Sequence, residues 1–210
     1  MTEQPQDQEI LLHALRDPAR YPHPTEQVEV VETHISTVFL TGTHAYKIKK
    51  PVDFGFLDFS SLEKRRHYCE EELRLNRRLA PGLYEAVVPI TGTPEAPEVD
   101  GEGTAIEYAV KMRQFDQSQL FDRLLAEGRV DAALMRRVAE ILAEFHQQAA
   151  VAGPETPYGT PEAVFAPMAQ NFEQLRELID DPQRLEQLAR LEDWTRRQYD
   201  ALRPLIERRK

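Results

Sequence analysis

The chain has 210 residues, of which 41% are hydrophobic and 30% charged, a composition typical of a globular protein with a sizeable core. Its formal net charge of −10 argues against a nucleic-acid partner, because the phosphates would be repelled. A single cysteine, Cys69, excludes an internal disulfide and a cysteine-based metal cluster. The start of the chain is polar and no run approaches the roughly 18 apolar residues of a membrane span. We therefore expect no membrane partner and a cytoplasmic location.

The first part of the chain reads as strands interrupted by one long helix. A short helix is predicted over 9–16, before a proline-rich lead-in. Enrichment in β-branched residues and alternating patterns predict about five strands. These predicted strands span residues 28–32, 37–40, 45–50, 87–90 and 105–112. The segment 91–103 is rich in proline, glycine and acidic residues, which predicts a loop.

The long helix is predicted between the third and fourth strands. Ser60 followed by Glu63 is the pattern of a capping box, and Pro81 predicts the end of the helix. One stripe of this helix is predicted to face inward. It comprises Tyr68, Glu72, Leu75 and Leu79. The basic cluster Lys64-Arg65-Arg66 is predicted to form a solvated face.

After Phe115 the pattern is helical. Helices are predicted over residues 119–127, 131–150, 161–179 and 184–209, with Pro204 interrupting the last one. The fold class is therefore α+β, with a helix and proline-rich lead-in over 1–27, a strand-rich lobe over 28–115 and a helical part over 116–210. A cleft between two such lobes is a usual place for a small ligand.

The third strand and the long helix carry the candidate site. Alternation along the strand puts Ala45, Lys47 and Lys49 on one face. A strand lysine and a glutamate on the following helix can form the ion pair that holds ATP phosphates in kinases. Glu72 lies on the inward stripe, where an unpaired charge would be costly, so we predict Lys47 as its partner. Ala45 is small enough to lie beside a purine. Lys49 and Glu71 are the alternatives on the same two elements.

These residues carry a resemblance to a known family. The stretch from Glu32 to Phe115 resembles the N-terminal lobe of aminoglycoside phosphotransferase-like (protein-kinase-like) enzymes. More closely, residues 45–51 (AYKIKKP) and 75–81 (LNRRLAP) are similar to bacterial proteins that fuse such a domain to a C-terminal P-loop ATPase domain. Weaker similarity continues through residues 145–146 and 158–162. The resemblance implies a protein-kinase-like fold, in which an N-lobe of about five antiparallel strands and one long helix precedes a partial helical C-lobe.

The resemblance also implies a function. An ATP-dependent phosphotransferase would use ATP and Mg²⁺ to modify a small-molecule acceptor, which the sequence does not identify. Lys47 would be the phosphate-binding lysine and Glu72 its helix partner. Residues Met112 to Gln114 would be the hinge whose backbone groups bind the adenine edge. The turn that stands in the place of a Gly-rich phosphate loop, residues 33–36, contains no glycine. Its last residue, Ser36, is a further candidate for phosphate contact, although turn residues of this type more often bond local backbone groups.

Two departures from the family pattern limit this function. The catalytic loop His-x-Asp with its downstream Asn and metal-binding Asp does not occur before Lys210, and neither does a P-loop pattern. We therefore expect no catalytic residue and no metal ligand in this chain, which resembles a piece that ends ahead of the catalytic loop. Asp53-Phe54-Gly55 spells the kinase metal-binding tripeptide, but it precedes the helix, so we predict a turn around Gly55. The alternative function is a non-catalytic kinase-fold module that binds nucleotide or a partner and regulates an attached ATPase.

Overall fold

The computed structural model describes residues 5–210; residues 1–4 of the predicted lead-in lie outside the described part. The chain divides into two compact units, one ending at Gln148 and the other spanning Ala149–Lys210. The first unit contains a β-sheet with helices and the second contains helices, so the α+β class is confirmed. Strands give way to helices near residue 115, while the compact units divide after Gln148.

The first unit is built on one antiparallel sheet. Its strands are β1 (Glu29–Glu32), β2 (Ser36–Leu40), β3 (His44–Lys49), β4 (Tyr84–Thr93), β5 (Ala96–Val99) and β6 (Glu107–Arg113). Its helices are α1 (Pro5–Ala14), α2 (Leu62–Asn76), α3 (Phe121–Ala126) and α4 (Ala132–Gln148). The strand order is β1-β2-β3-β6-β4-β5, so β3 lies in the interior of the sheet.

The sheet has a sixth strand, β5, where the sequence pattern predicted a loop. β4 runs on to Thr93, and β5 returns beside it with Ala96 opposite Thr93. Pro97 made this segment look irregular, since proline cannot donate a ladder hydrogen bond. β5 is an edge strand, where that missing donor is tolerated. The prediction of a loop over 91–103 was therefore wrong for residues 96–99.

One face of the sheet packs against α1 and holds the main apolar core. Tyr46 is opposite Phe39, and Ile48 is opposite Ala109, so these side chains share a face. They belong to a buried cluster with Leu11, Leu15, Tyr21, Val88, Ile90 and Val99. Because side chains alternate along a strand, Ala45, Lys47 and Lys49 point to the opposite face.

The start and end of α2 differ from the predicted ones. Ser61 is the N-cap and its Oγ accepts a hydrogen bond from the Lys64 N–H at 3.3 Å, whereas Ser60 donates to Asp58. The capping-box spacing from Ser60 was therefore wrong by one residue, because Asp58 competes for the Ser60 hydroxyl. The helix ends at Asn76, before Pro81.

Replacing Ser61 by alanine is expected to lower the free energy of unfolding by about 1 kcal/mol, because one N-terminal N–H of α2 loses its acceptor. Ser60→Ala is the matched control, since the Ser60 hydroxyl bonds an exposed carboxylate and caps no helix. Urea unfolding followed by circular dichroism measures both variants. Equal losses for the two serines would contradict the assignment of the cap.

The inward face of α2 is partly charged. Arg65 and Cys69 are buried, so the prediction that the cluster around Arg65 is solvated was wrong for that residue. The Arg65 Nε donates to both carboxylate oxygens of Glu107, at 3.0 and 2.9 Å, and its Nη1 donates to the Phe59 carbonyl. Leu75, predicted to face inward, is exposed because Arg65, Cys69 and Glu72 set the inward face instead.

The second unit contains α5 (Pro161–Leu178) and α6 (Pro182–Arg209). Pro204 was predicted to interrupt the last helix, but α6 continues through it. A proline removes the hydrogen bond to the carbonyl four residues earlier. That residue is Asp200, which is exposed, so water can bond its carbonyl. In the described part of the chain, no helix combines the length and apolar character needed to cross a membrane.

Candidate functional site

Two lysines and one glutamate form a compact ionic cluster between β3 and α2. The Lys47 Nζ lies 2.9 Å from the Glu72 Oε1, and the Lys49 Nζ lies 2.7 Å from the Glu72 Oε2. The predicted contact between Lys47 and Glu72 is therefore present, and Lys49, the predicted alternative, contacts the same carboxylate. Alternation along β3 aims both lysines at α2, and Glu72 lies two turns beyond Arg65 on the inward face.

The neighbouring glutamates of α2 are engaged elsewhere. Glu71 pairs with Arg74, and Glu70 pairs with Arg66, all on the surface of the same helix. These i,i+3 and i,i+4 pairs are typical of a solvated helix face. Glu72 is thus the glutamate of this trio that reaches the sheet.

The cluster is unevenly buried. The side chain of Lys49 is 6% exposed and that of Glu72 is 13% exposed, while that of Lys47 is 27% exposed. Burial would raise the pKa of the Glu72 carboxyl, but hydrogen bonds from Lys49 and Lys47 outweigh this effect and hold its pKa below the ordinary value. The cluster therefore holds an ionised glutamate and one more lysine than is needed to neutralise it.

Lys49 has a further partner. Its Nζ lies 4.9 Å from the centroid of the Phe59 ring, in cation–π geometry. Phe59 is buried, and its carbonyl is bonded by Arg65. Lys49 is consequently enclosed between the ring and the carboxylate.

A row of side chains crosses the sheet beside the cluster. Ala45 is opposite Leu40 on β2 and opposite Met112 on β6, and Met112 is opposite Tyr84 on β4. Ala45 is buried and Met112 is half-buried. The structure therefore brings the two predicted purine neighbours, Ala45 and Met112, side by side on the face that carries Lys47.

Tyr84 belongs to this site, and the sequence analysis did not identify it. Burial raises the pKa of its phenol, the Glu72 carboxylate adds to the rise, and Lys47 opposes it. Its place opposite Met112 depends on a register shift between Tyr84 and Ala86. Such a bulge is set by the pairing of strands distant in sequence, so no local signal pointed to Tyr84.

Ser36 lies in register with Lys49 across β2 and β3, but its side chain is fully buried. Its carbonyl accepts from Thr33, and its N–H donates to the Thr33 hydroxyl. Among the described residues the Ser36 hydroxyl has no hydrogen-bond partner. Ser36 thus offers no exposed surface for the phosphate contact that the sequence predicted.

The predicted hinge is bonded within the protein. The N–H of Arg113 donates to the Leu83 carbonyl and that of Gln114 to the Thr43 carbonyl, each at 2.9 Å. The side-chain oxygen of Gln114 accepts from the Gly42 N–H. Gln114 therefore ties the end of β6 to the turn between β2 and β3, and its N–H is not a free donor for an adenine edge.

The segment Asp53-Phe54-Gly55 forms the predicted turn. Gly55 has a φ of 76°, and its N–H donates to the Asp53 Oδ1 at 2.8 Å. A bridge pairs Asp53 with Asp58 across this small loop. The Asp53 carboxylate thus serves the local backbone.

Comparisons with known proteins give similar mycobacterial relatives whose names state no activity. The uncharacterized protein Rv2004c of Mycobacterium tuberculosis is 34% identical over 122 residues, which are 58% of this chain and 23% of that protein. The uncharacterized protein Mb2027c of Mycobacterium bovis matches with the same identity and coverage. The matched stretch thus spans less than a quarter of the relatives' length. No family model and no solved structure matches the chain.

Proposed function

We propose that the sheet-containing unit is a protein-kinase-like nucleotide-binding domain of an ATP-dependent phosphotransferase that acts on a small molecule. The observation that carries the proposal is the pairing of two strand lysines with one helix carboxylate. Within these three side chains there is one surplus positive charge, and the more exposed cation is Lys47. A partly exposed cation oriented by a carboxylate suits binding of a phosphate oxygen.

Each residue has a role in this proposal. Lys47 binds phosphate oxygens of ATP, and Glu72 orients the Lys47 side chain before ATP binds; kinases also pair a strand lysine with a helix glutamate. Ala45 and Met112 provide the flat apolar surface for the purine, one strand spacing apart. Tyr84, opposite Met112 on β4, lies at the end of this row of side chains.

The site does not fit a magnesium ion held by the protein. Both oxygens of Glu72 already accept hydrogen bonds from lysines, and Mg²⁺ needs free carboxylate oxygens. Within residues 5–210 no group of three His, Cys, Asp or Glu side chains is placed to hold a metal. We assign no step to magnesium in this chain.

One observation favours a second function, a nucleotide- or partner-binding module without catalysis that regulates an attached ATPase. The backbone donors of Arg113 and Gln114 are bonded internally, so the base would not be read by these two groups. A module that senses phosphates through Lys47 needs no such reading of the base. Only the first proposal requires a small-molecule acceptor and further residues that carry out phosphate transfer.

The test is ATP binding by calorimetry on the full chain and on its Lys47→Ala variant. Because a hydrogen bond to a charged group is worth about 1.5–3 kcal/mol, we expect the substitution to weaken ATP binding about ten- to a hundredfold.

Lys50→Ala is the matched control for this test. Lys50 follows β3 directly and pairs with Glu32, away from Glu72, so its loss should leave ATP affinity within about twofold. Equal affinity of the Lys47→Ala variant and the unmodified chain, or no ATP binding by the folded unmodified chain, would refute the proposed function.

A further inference from the structure

Lys49 holds the second oxygen of the carboxylate that Lys47 uses. The Glu72 Oε1 accepts from Lys47 and the Glu72 Oε2 accepts from Lys49, so the two lysines do not compete for one acceptor atom. Removing the contact to Oε1 would leave the contact to Oε2 in place. The pair of Lys49 and Glu72 is therefore a unit that does not need Lys47.

The two lysines differ in how firmly they are held. The Lys49 side chain is 6% exposed, and its ammonium lies against the buried Phe59 ring as well as Glu72. The Lys47 side chain is 27% exposed, and its ammonium donates a hydrogen bond to the Glu72 Oε1 at 2.9 Å. Of the two, Lys47 is the one that can turn toward a ligand without leaving a buried ring contact.

We propose that Lys49 is a positioning residue that keeps Glu72 oriented and charge-balanced, so that Lys47 can leave Oε1 and bind a phosphate. This inference rests on the proposed phosphate-binding role of Lys47. Without Lys49, Lys47 would be the cation that balances a carboxylate 13% exposed, and its movement toward a phosphate would leave that buried charge unpaired. Lys49 thus acts through Glu72 and does not itself contact the nucleotide.

This arrangement makes a prediction about coupling. If Lys49 acts through Glu72, its removal should matter when the carboxylate is present and should matter little when the carboxylate is replaced by an amide. A lysine that bound phosphate directly, or that only supported the fold, would matter in both backgrounds. A double-mutant cycle separates these cases because it measures the interaction between the two residues.

The experiment measures ATP affinity by calorimetry for the full chain and for Lys49→Met, Lys49→Arg, Glu72→Gln and the double variant Lys49→Met/Glu72→Gln. We expect Lys49→Met to weaken ATP binding about tenfold or more. Lys49→Arg keeps the cation and is expected to recover most of the affinity. In the Glu72→Gln background, the Lys49→Met substitution should change the affinity by less than about twofold.

The outcomes separate this inference from the proposed function. If Lys47→Ala weakens ATP binding but Lys49→Met does not, the role of Lys49 is refuted and the site at Lys47 stands. An equal loss from Lys49→Met with and without Glu72 also refutes it, because Lys49 then acts independently of the carboxylate. If Lys49→Met does not fold by circular dichroism, the comparison within the Glu72→Gln background decides. If Lys47→Ala has no effect, the proposed function fails first.

Discussion

Replacing Arg65 by methionine is expected to lower the free energy of unfolding of the sheet-containing unit by about 3–5 kcal/mol. The side chains of Arg65 and Glu107 are 3% and 2% exposed, so each is the other's main charge partner in a place that water does not reach. Methionine fills similar volume but leaves the Glu107 carboxylate with neutral donors, the Gln8 amide and the Tyr108 N–H. Breaking one side of a buried ion pair costs more than the pair contributes, because the remaining charge stays buried.

The loss at Arg65 should depend on pH in a defined direction. Burial raises the pKa of the Glu107 carboxyl, and Arg65 opposes that rise, so removing Arg65 raises the pKa further. A carboxyl with a raised pKa in the folded state binds its proton more tightly there than in the unfolded chain. The deficit should therefore be smallest at acidic pH, where the Glu107 carboxyl is protonated in both folded proteins, and should grow as the pH rises through the folded pKa of the unmodified chain toward the higher one of the variant.

Two further variants make this prediction specific. Adding Glu107→Gln to Arg65→Met removes the buried carboxylate. The double variant should regain part of the lost free energy of unfolding, and the contribution of Glu107 to its pH dependence should disappear. Arg66→Met is the matched control, because Arg66 is the next residue of α2, lies exposed and pairs with Glu70 on the surface; it should change stability little.

The measurement must report on the sheet. The single tryptophan, Trp194, lies on α6 in the second unit, so its fluorescence would follow the wrong part of the chain. Amide hydrogen exchange of β3 and β6, which pair with each other, follows the unit that contains Arg65. Equal protection of these amides in Arg65→Met and Arg66→Met would contradict the assigned importance of the buried pair.

The cluster of Lys47, Lys49 and Glu72 could be predicted from the sequence, because the repeat patterns of a strand and of a helix show which residues share a face. Alternation over β3 put Lys47 and Lys49 on one face, and the helical period put Glu72 on the inward side of α2. Both patterns are local and survive errors of one or two residues at the ends of elements. The sequence could not show that the two lysines share one carboxylate, because that depends on how α2 lies across the sheet.

The pair of Arg65 and Glu107 could not be predicted from the sequence in the same way. The two residues are 42 positions apart, and Arg65 stands between two other basic residues, Lys64 and Arg66. A charge on a helix is usually solvated, so the burial of Arg65 follows only from the register that brings β6 beneath α2. The same dependence on distant pairing explains why the placement of Tyr84 was missed, whereas β5 is a local hairpin partner of β4 and was missed because of Pro97.

Replacing Glu72 by glutamine is expected to lower the free energy of unfolding by about 2–4 kcal/mol, since Lys49 then loses its charged acceptor while it remains enclosed against Phe59. The loss should be below that at Arg65, because Lys47 is partly exposed and water can solvate it. Two like charges, Lys47 and Lys49, would also face each other without the carboxylate between them.

The loss at Glu72, like that at Arg65, should be smaller at acidic pH, but for a different reason. The pKa of Glu72 is held below its ordinary value, so its contribution to stability is present above the unfolded pKa of about 4.3 and is lost as the pH falls. Glutamine mimics the protonated acid, so the difference between the unmodified chain and the variant should shrink at acidic pH. Denaturant unfolding of both proteins between neutral and acidic pH measures this difference directly.

The decisive readout of the Glu72→Gln variant is its response to inorganic phosphate. An anion that binds Lys47 supplies part of the negative charge that the carboxylate supplied, so phosphate should raise the melting temperature of the variant more than that of the unmodified chain. Glu71→Gln is the matched control, because Glu71 pairs with Arg74 on the helix surface and its loss should change neither stability nor the response to phosphate. If Glu72→Gln behaved as Glu71→Gln does, Glu72 would not be needed to balance Lys49, and the cluster would not be the place where phosphate binds.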